Sequence, residues 1–442
     1  MGKPALRNLG IHSLDHVDFV VHDLARSREF YTGKMDFAET ARSSTALEQE
    51  TGERSAVFDA AKVRVVCTVP LDKSSRAAKF LRAHPDGVRT VAFRVHDLQH
   101  AWKTLEQRGA NFVGEVQGKP GYRWFDIASP LGDVDYRFIE KAGPAPTTAD
   151  EEQGKANPGP VDPRMAPIVN AAGPSASRTA LPNAGAASRN PKAGAGPAGA
   201  GPAGLGQSPG GNRHKFTHMD HITSNTREMR GLTNWYRDVL GFEHFWDIRF
   251  HTRDSKPDME GGSGLQSIVM WDPSCNVKFA TNEPLRPNYH ASQIAKYVED
   301  NRGPGVQHIA FSTRAIMDVI PQMTQAGLKF LDTPDAYYRM LPARLAERAV
   351  SNLREEIEEL RKRRILVDGR DDRYLLQIFM QEAALLYSEA EAGPFFYEVI
   401  QRHGDQGFGE GNFRALFESI ERQQGGGAPA GVRTVQNPYL MD

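Results

Sequence analysis

Two histidines and one glutamate, His221, His308 and Glu398, have the types and the setting to hold one metal ion. Two imidazole nitrogens and one carboxylate leave about half of an octahedron open. That arrangement suits iron(II) that must bind a substrate and dioxygen together. A closed zinc site would need a fourth ligand, and a soft one would be cysteine. Cys275 falls in WDPSC, which reads as a turn out of register with the three donors. Glu398 lies in the apolar run PFFYEVIQR, where an unpaired carboxylate is costly to bury. A metal or a basic partner removes that cost. His214 and His218 stand at the edge of a low-complexity stretch and are not counted as ligands.

An internal duplication sets these three residues apart. Leu14-Asp15-His16-Val17 matches Met219-Asp220-His221-Ile222, and Tyr31 and Tyr236 each follow fifteen residues after the histidine. Phe37 and Phe242 come six residues later. The run from Gly87 to Phe93 matches the run from Gly305 to Phe311, with Gly109 and Gly327 nineteen residues beyond Thr90 and His308. Asp135-Tyr136-Arg137-Phe138-Ile139 matches Phe396-Tyr397-Glu398-Val399-Ile400. Equal spacings in one order mark a repeat. Overlaid, the first half offers His16, Thr90 and Arg137 where the second offers His221, His308 and Glu398. Arg137 stays protonated and would repel a cation. One metal is therefore expected, in the second half, with a structural role for the first.

The elements that must position these donors read alike in both halves. An alternating strand (DHVDFVV; DHITSN) leads into a helix that ends before a Gly turn, and short strands follow. KVRVVCTV (62–69), TVAFRV (90–95) and LQSIVMW (265–271) read as strands. Alternation puts residues i and i+2 on one face, so His221 and His308 can point inward from separate strands. The pattern predicts an α+β chain of repeated β-α-β-β-β modules, with a mostly antiparallel curved sheet and helices outside. RLAERAVSNLREEIEELRKRR (344–364) is predicted to be a charged, inserted helix.

Composition divides the chain. Residues 1–143 and 214–424 read as domains, and 425–442 as a soft tail. Residues 144–213 are read as a flexible linker, since AGAGPAGAGPAGLGQSPGGN (193–212) has almost nothing to bury and should pack on nothing. Fifty-four lysines and arginines face 55 aspartates and glutamates, a formal net charge of -1, which gives nucleic acid and membrane surfaces nothing to grip. Two cysteines make neither a disulfide framework nor a cysteine-rich zinc site. No run of about 18 apolar residues suggests a membrane span. The N-terminus lacks the apolar region of a signal peptide, so a cytoplasmic location is expected.

Several segments together resemble the 4-hydroxyphenylpyruvate dioxygenases of the vicinal-oxygen-chelate superfamily. They are MDHITSN, GLQSIVMW, NEP, SQI, GVQHIAF, FLDTPDAYY, ILVDG, YLLQIF, FFYEVIQR and GFGEGNFRALFESIE. The resemblance covers both halves and is strongest from Phe216 to Gln423. It implies tandem vicinal-oxygen-chelate domains, each of paired βαβββ modules, and one Fe(II) per chain on His221, His308 and Glu398. It places the substrate pocket at Ser267, Asn282, Gln293, Gln307, Gln377, Phe379, Phe396, Phe408 and Phe413. For Phe396 core packing is weighed equally with a ligand contact. The substrate implied is an aromatic α-keto acid, which with O2 as co-substrate yields homogentisate and CO2. Because that substrate carries its own keto acid, no 2-oxoglutarate is needed. The resemblance also implies a homo-oligomer, dimer or tetramer, and a helical lid over RALFESIERQ (414–423) behind a flexible turn, GFGEGNF. Two stretches depart from it, the long linker and FMQEAALLYSEAEAGPFF before the last strand. The nearest rival is 4-hydroxymandelate synthase activity, against which the bulk of Phe379 argues. A zinc or manganese isomerase or ring-cleaving enzyme, and a non-catalytic binding module, are more distant alternatives.

Overall fold

The structure is a computed structural model that describes residues 8–119, 121–141, 162, 165–167, 211–251, 263–286 and 289–412. Four copies of one module build it. The first runs β1 (Ile11–Val20), a helical segment, β2 (Ala38–Ser43), β3 (Glu53–Ala60) and β4 (Val63–Pro70). The second runs β5 (Gly87–Val95), a helix (Leu98–Gln107), β6 (Gln117–Lys119), β7 (Tyr122–Ala128) and β8 (Asp135–Lys141). After β9 (Met165–Pro167), the third holds β10 (Phe216–Asn225), β11 (Glu243–His251), β12 (Gly264–Asp272) and β13 (Val277–Pro284). The fourth holds β14 (Gly305–Thr313), β15 (Leu366–Arg370), β16 (Arg373–Phe379) and β17 (Phe396–His403). The sheets run β6-β7-β8-β5-β1-β4-β3-β2-β9 and β11-β12-β13-β10-β14-β17-β16-β15.

In every module the first strand pairs parallel with the last, and the two first strands of a half join antiparallel. The intervening helix makes the parallel return possible, since a hairpin cannot. The result is the expected α+β architecture, two sheets each built from a pair of repeated modules.

Two expectations change. Met165–Pro167, inside the stretch read as an unpacked linker, adds a strand to the β2 edge. Arg213, at the far end of that stretch, donates its backbone N–H to Asp36 at 2.6 Å. The run 344–364 is not one helix. A helix spanning Asp335–Glu347 ends, and another spans Ile357–Arg363. Ala349 between them takes a left-handed φ of 55°. Ser351 and Asn352 bond to Asp372, so side-chain contacts with the β15–β16 turn outweigh helix propensity here.

The halves share one apolar core, in which Phe37 meets Phe216 and Phe311, and Phe93 meets Phe279. Two buried tyrosine pairs cross it. Tyr31 and Tyr397 hydroxyls lie 2.5 Å apart, and Tyr136 and Tyr236 hydroxyls 2.7 Å apart. Tyr31 corresponds to Tyr236 in the repeat, and Tyr397 to Tyr136. Each pair thus joins the helical segment of one half to the last strand of the other, and the symmetry of the repeat is written into the core. No helix among the described residues is long and apolar enough to cross a membrane.

Candidate metal centre

Three neighbouring strands deliver the three donors. His221 on β10 opposes Ala310 on β14, and Ala310 pairs with Glu398 on β17. His308 stands two residues before Ala310, on the same face. The ligand atoms of His221, His308 and Glu398 all lie within 4.8 Å of one another, and all three residues are buried. Glu398 Oε2 sits 3.3 Å from His221 Nε2 and 3.5 Å from His308 Nε2.

The surroundings aim each ring. Asp220 takes His221 Nδ1 at 2.8 Å and is itself held by the Arg402 guanidinium at 2.6 Å. Gln307 Oε1 lies 3.2 Å from His308 Nδ1. Both Nε2 atoms are thereby turned toward Glu398. Burial opposes a charged Glu398, yet the two imidazoles hold its carboxyl below the usual range. For His221 the same burial is outweighed by Glu398 and Asp220, which raise its pKa; for His308 burial prevails and lowers it. Glu398 Oε1 is buried without a partner. A buried carboxylate in this state fits a cation, and nitrogen with oxygen donors fit a borderline divalent metal.

β-Bulges make this geometry. Met219 opposes Phe311 and His221 opposes Ala310, so Asp220 is the extra residue. Thr223 opposes His308 and Ser224 opposes Val306, so Gln307 is extra as well. Strict alternation would send Gln307 and His308 to opposite faces; the bulge brings both to the cavity.

The cavity at the three donors has a volume of about 20 Å³, room for little more than a water-sized group. Its walls include Asn282, Gln293, Gln307, Gln377, Phe379 and Phe408. Ser267 is buried on β12 opposite Asn282 but does not reach the wall. Phe396 is buried and stacks on His308, with ring centres 5.0 Å apart. Phe413 and the expected lid helix lie outside the described residues. Phe408 covers His221 at 4.7 Å. The turn before it is pinned rather than flexible. Arg402 donates to the Asp405 and Gly407 carbonyls, and Lys278 to the Gln406 carbonyl at 3.2 Å.

Sequence reasoning missed Thr223 and Leu265 on the cavity wall, and Asp220, Arg402 and Lys278 behind it. A signal for two of them was present. Asp15, His16 and Lys141 form the same contact chain in the first half, with Asp15 2.8 Å from His16 and 2.6 Å from Lys141. Lys141 follows Arg137 by the interval at which Arg402 follows Glu398. The first half therefore keeps the histidine support and lacks the ligand. Arg137 pairs with Asp126 at 2.7 Å, and an ion pair stands where the second half gathers its donors.

A family model for the glyoxalase/bleomycin resistance protein/dioxygenase superfamily matches residues 13–131 and 218–340. The chain is 30% identical over 425 residues to a 4-hydroxyphenylpyruvate dioxygenase of Dictyostelium discoideum, covering 94% of this chain and 98% of that one. It is 31% identical to one of Danio rerio, covering 96% and 93%. A triple mutant of 4-hydroxymandelate synthase from Streptomyces coelicolor has a similar fold, with a TM-score of 0.67, 21% identity and coverage of 94% of this chain and 99% of that one. A xylose isomerase-like TIM barrel/4-hydroxyphenylpyruvate dioxygenase fusion protein does too, with a TM-score of 0.62, 17% identity and coverage of 96% of this chain and 55% of that one. Joined to the two-histidine, one-glutamate cluster on a duplicated sheet, the near full-length matches make this chain an enzyme of the 4-hydroxyphenylpyruvate dioxygenase family.

Proposed function

We propose that the chain is an iron(II)-dependent dioxygenase that converts 4-hydroxyphenylpyruvate and O2 to homogentisate and CO2. One iron is held by His221, His308 and Glu398, and no 2-oxoglutarate takes part. The observation that carries this reading is the state of Glu398: buried, one oxygen facing two imidazole nitrogens, the other with no partner. When bound, the metal supplies the redox chemistry and open positions for a chelating keto acid and dioxygen.

The chain's own residues supply orientation and shelter. The Asn282 carbonyl oxygen on the wall is buried without a partner, ready to meet a phenol hydroxyl, and the unpartnered Ser267 hydroxyl lies behind it on the neighbouring strand. Gln307 donates to Gln293 at 3.3 Å while its oxygen faces His308, so one amide pair links substrate wall to ligand. Gln377 adds a further amide. Phe379 offers a ring to an aromatic substrate and Phe408 closes the cavity from water. The sequence assigns Phe413 as the opposite aromatic wall. Phe396 acts through His308, on which it stacks. The described cavity is too small for the substrate, so binding requires Phe408 to move. Residues 1–143 serve as scaffold, 214–424 carry the chemistry, 144–213 connect them and 425–442 trail behind. The family resemblance extends this to a homo-oligomer, dimer or tetramer.

The test is anaerobic loading with iron(II), addition of 4-hydroxyphenylpyruvate and then air, and identification of the product. Homogentisate with CO2 is expected. 4-Hydroxymandelate as sole product would replace ring attack by benzylic attack. Activity restored by zinc and indifferent to oxygen would replace the dioxygenase reading altogether.

A further inference from the structure

A second cavity, of about 70 Å³, lies between the two halves on the far side of Phe396. Phe19, Phe30 and Tyr31 from the first half and Leu386, Tyr387 and Phe395 from the second are among the residues that line it. The second-half wall comes from FMQEAALLYSEAEAGPFF, the stretch whose pattern departs from the family. There the short helix Ala383–Tyr387 is half-buried and flanks the cavity, which stays partly open to solvent.

We propose that this cavity holds dioxygen and passes it to the metal centre beside Phe396. The proposal rests on the dioxygenase reading above. Its chemistry is that of a small, neutral, apolar guest. The two charged groups on the wall, Arg26 and Asp86, are paired with each other. Arg26 pairs with Asp86 and Glu389, Asp86 also takes His22 at 2.6 Å, and the Tyr31 hydroxyl meets that of Tyr397. No charge is left to hold a carboxylate or phosphate. Size narrows the choice, because a cavity that holds benzene has a volume of about 150 Å³. At about half that, the sheltered part of the cavity has room for a diatomic molecule. Small apolar molecules leave water for such a space readily.

Position supplies the role. Phe396 lines this cavity, stacks on His308 at 5.0 Å and meets the edge of Phe379 at 6.3 Å. The Phe396 ring thus stands between this cavity and His308. The other approach is capped by Phe408, and an aromatic keto acid seated at the metal would block it. Dioxygen arriving from behind Phe396 avoids that obstruction.

The experiment loads the full chain with iron and measures xenon binding in crystals under xenon pressure, alongside KM for dioxygen and for the keto acid. Xenon is expected between Phe30 and Phe395. Ala383→Phe, which fills the cavity, should exclude xenon and raise KM for dioxygen about tenfold while leaving KM for the keto acid unchanged. Leu386→Ala, which widens it, should keep xenon and should not raise KM for dioxygen. An active wild-type chain without xenon in the cavity overturns the proposal. So does a folded, xenon-free Ala383→Phe variant with an unchanged KM for dioxygen. Xenon bound in a chain that consumes no oxygen would instead overturn the dioxygenase reading, and the feeding role with it.

Discussion

Asp220 shows how much a metal centre depends on residues that never touch the metal. Its carboxylate holds His221 by Nδ1 and is held in turn by Arg402, which keeps it charged far below the usual range despite burial. Asp220→Asn keeps the shape and loses the charge. We expect metal affinity to fall about 10–100-fold, measured by competition with a chelator. Glu398→Ala should abolish metal-dependent oxygen uptake without unfolding the chain, since it removes a buried charge as well as a ligand. Oxygen uptake and thermal melting of that variant, measured together, check both halves of the claim. A different carboxyl governs a pH effect away from the metal. Burial, with Asp300 nearby, pushes Glu382 up to about 7, and Lys296 opposes the shift. The folded chain then keeps this proton longer than the unfolded chain does. Stability should fall as pH rises from 4.5 to 7, and the penalty should be complete above 7. Glu382→Gln should melt about 2 °C higher than wild type above that window and the same as wild type below it. At this scale the gathering of His221, His308 and Glu398 was legible, because an unpaired glutamate in an apolar strand calls for a partner. Gln293 and Asn282 were legible only through the family resemblance.

Among the elements, the bulges and the turn before Phe408 matter most. Lys278 is 1% exposed and reaches across β13 to the Gln406 carbonyl, with its ammonium 4.8 Å from the Phe245 ring centre. It ties the covering turn to the sheet that carries His221. Lys278→Met keeps the apolar stem and removes three donors. We expect amide exchange across residues 405–412 to accelerate about tenfold while the β10 and β14 amides stay protected. Equal exchange in both proteins would show that Arg402 alone holds the turn. Neither bulge could be read from hydrophobic periodicity, because alternation says nothing of where a residue is inserted. The broken helix at 344–364 is a similar case. Its residues favour a helix locally, and the bonds from Ser351 and Asn352 to Asp372 come from a turn twenty residues away.

For the whole molecule, the crossed tyrosine pairs tie the two halves together through the shared core. Tyr31→Phe and Tyr397→Phe each remove one hydroxyl from a buried pair at 2.5 Å. A double-mutant cycle should give a coupling of about 1 kcal/mol in urea unfolding, with one transition throughout. Two separate transitions would mean that the halves unfold independently. The sequence by itself determined that the chain is duplicated, that each half repeats one βαβββ pattern, and that two histidines and a glutamate stand at the matching positions only in the second half. Those properties live in residue type and spacing, which folding does not alter. The tertiary structure decided which atoms face one another: the bulges that turn Asp220 and Gln307 toward the site, the ion pair that replaces the donors in the first half, and the cavity that opens where the two halves meet. These depend on strand register and on contacts between residues hundreds of positions apart, and no local pattern encodes them.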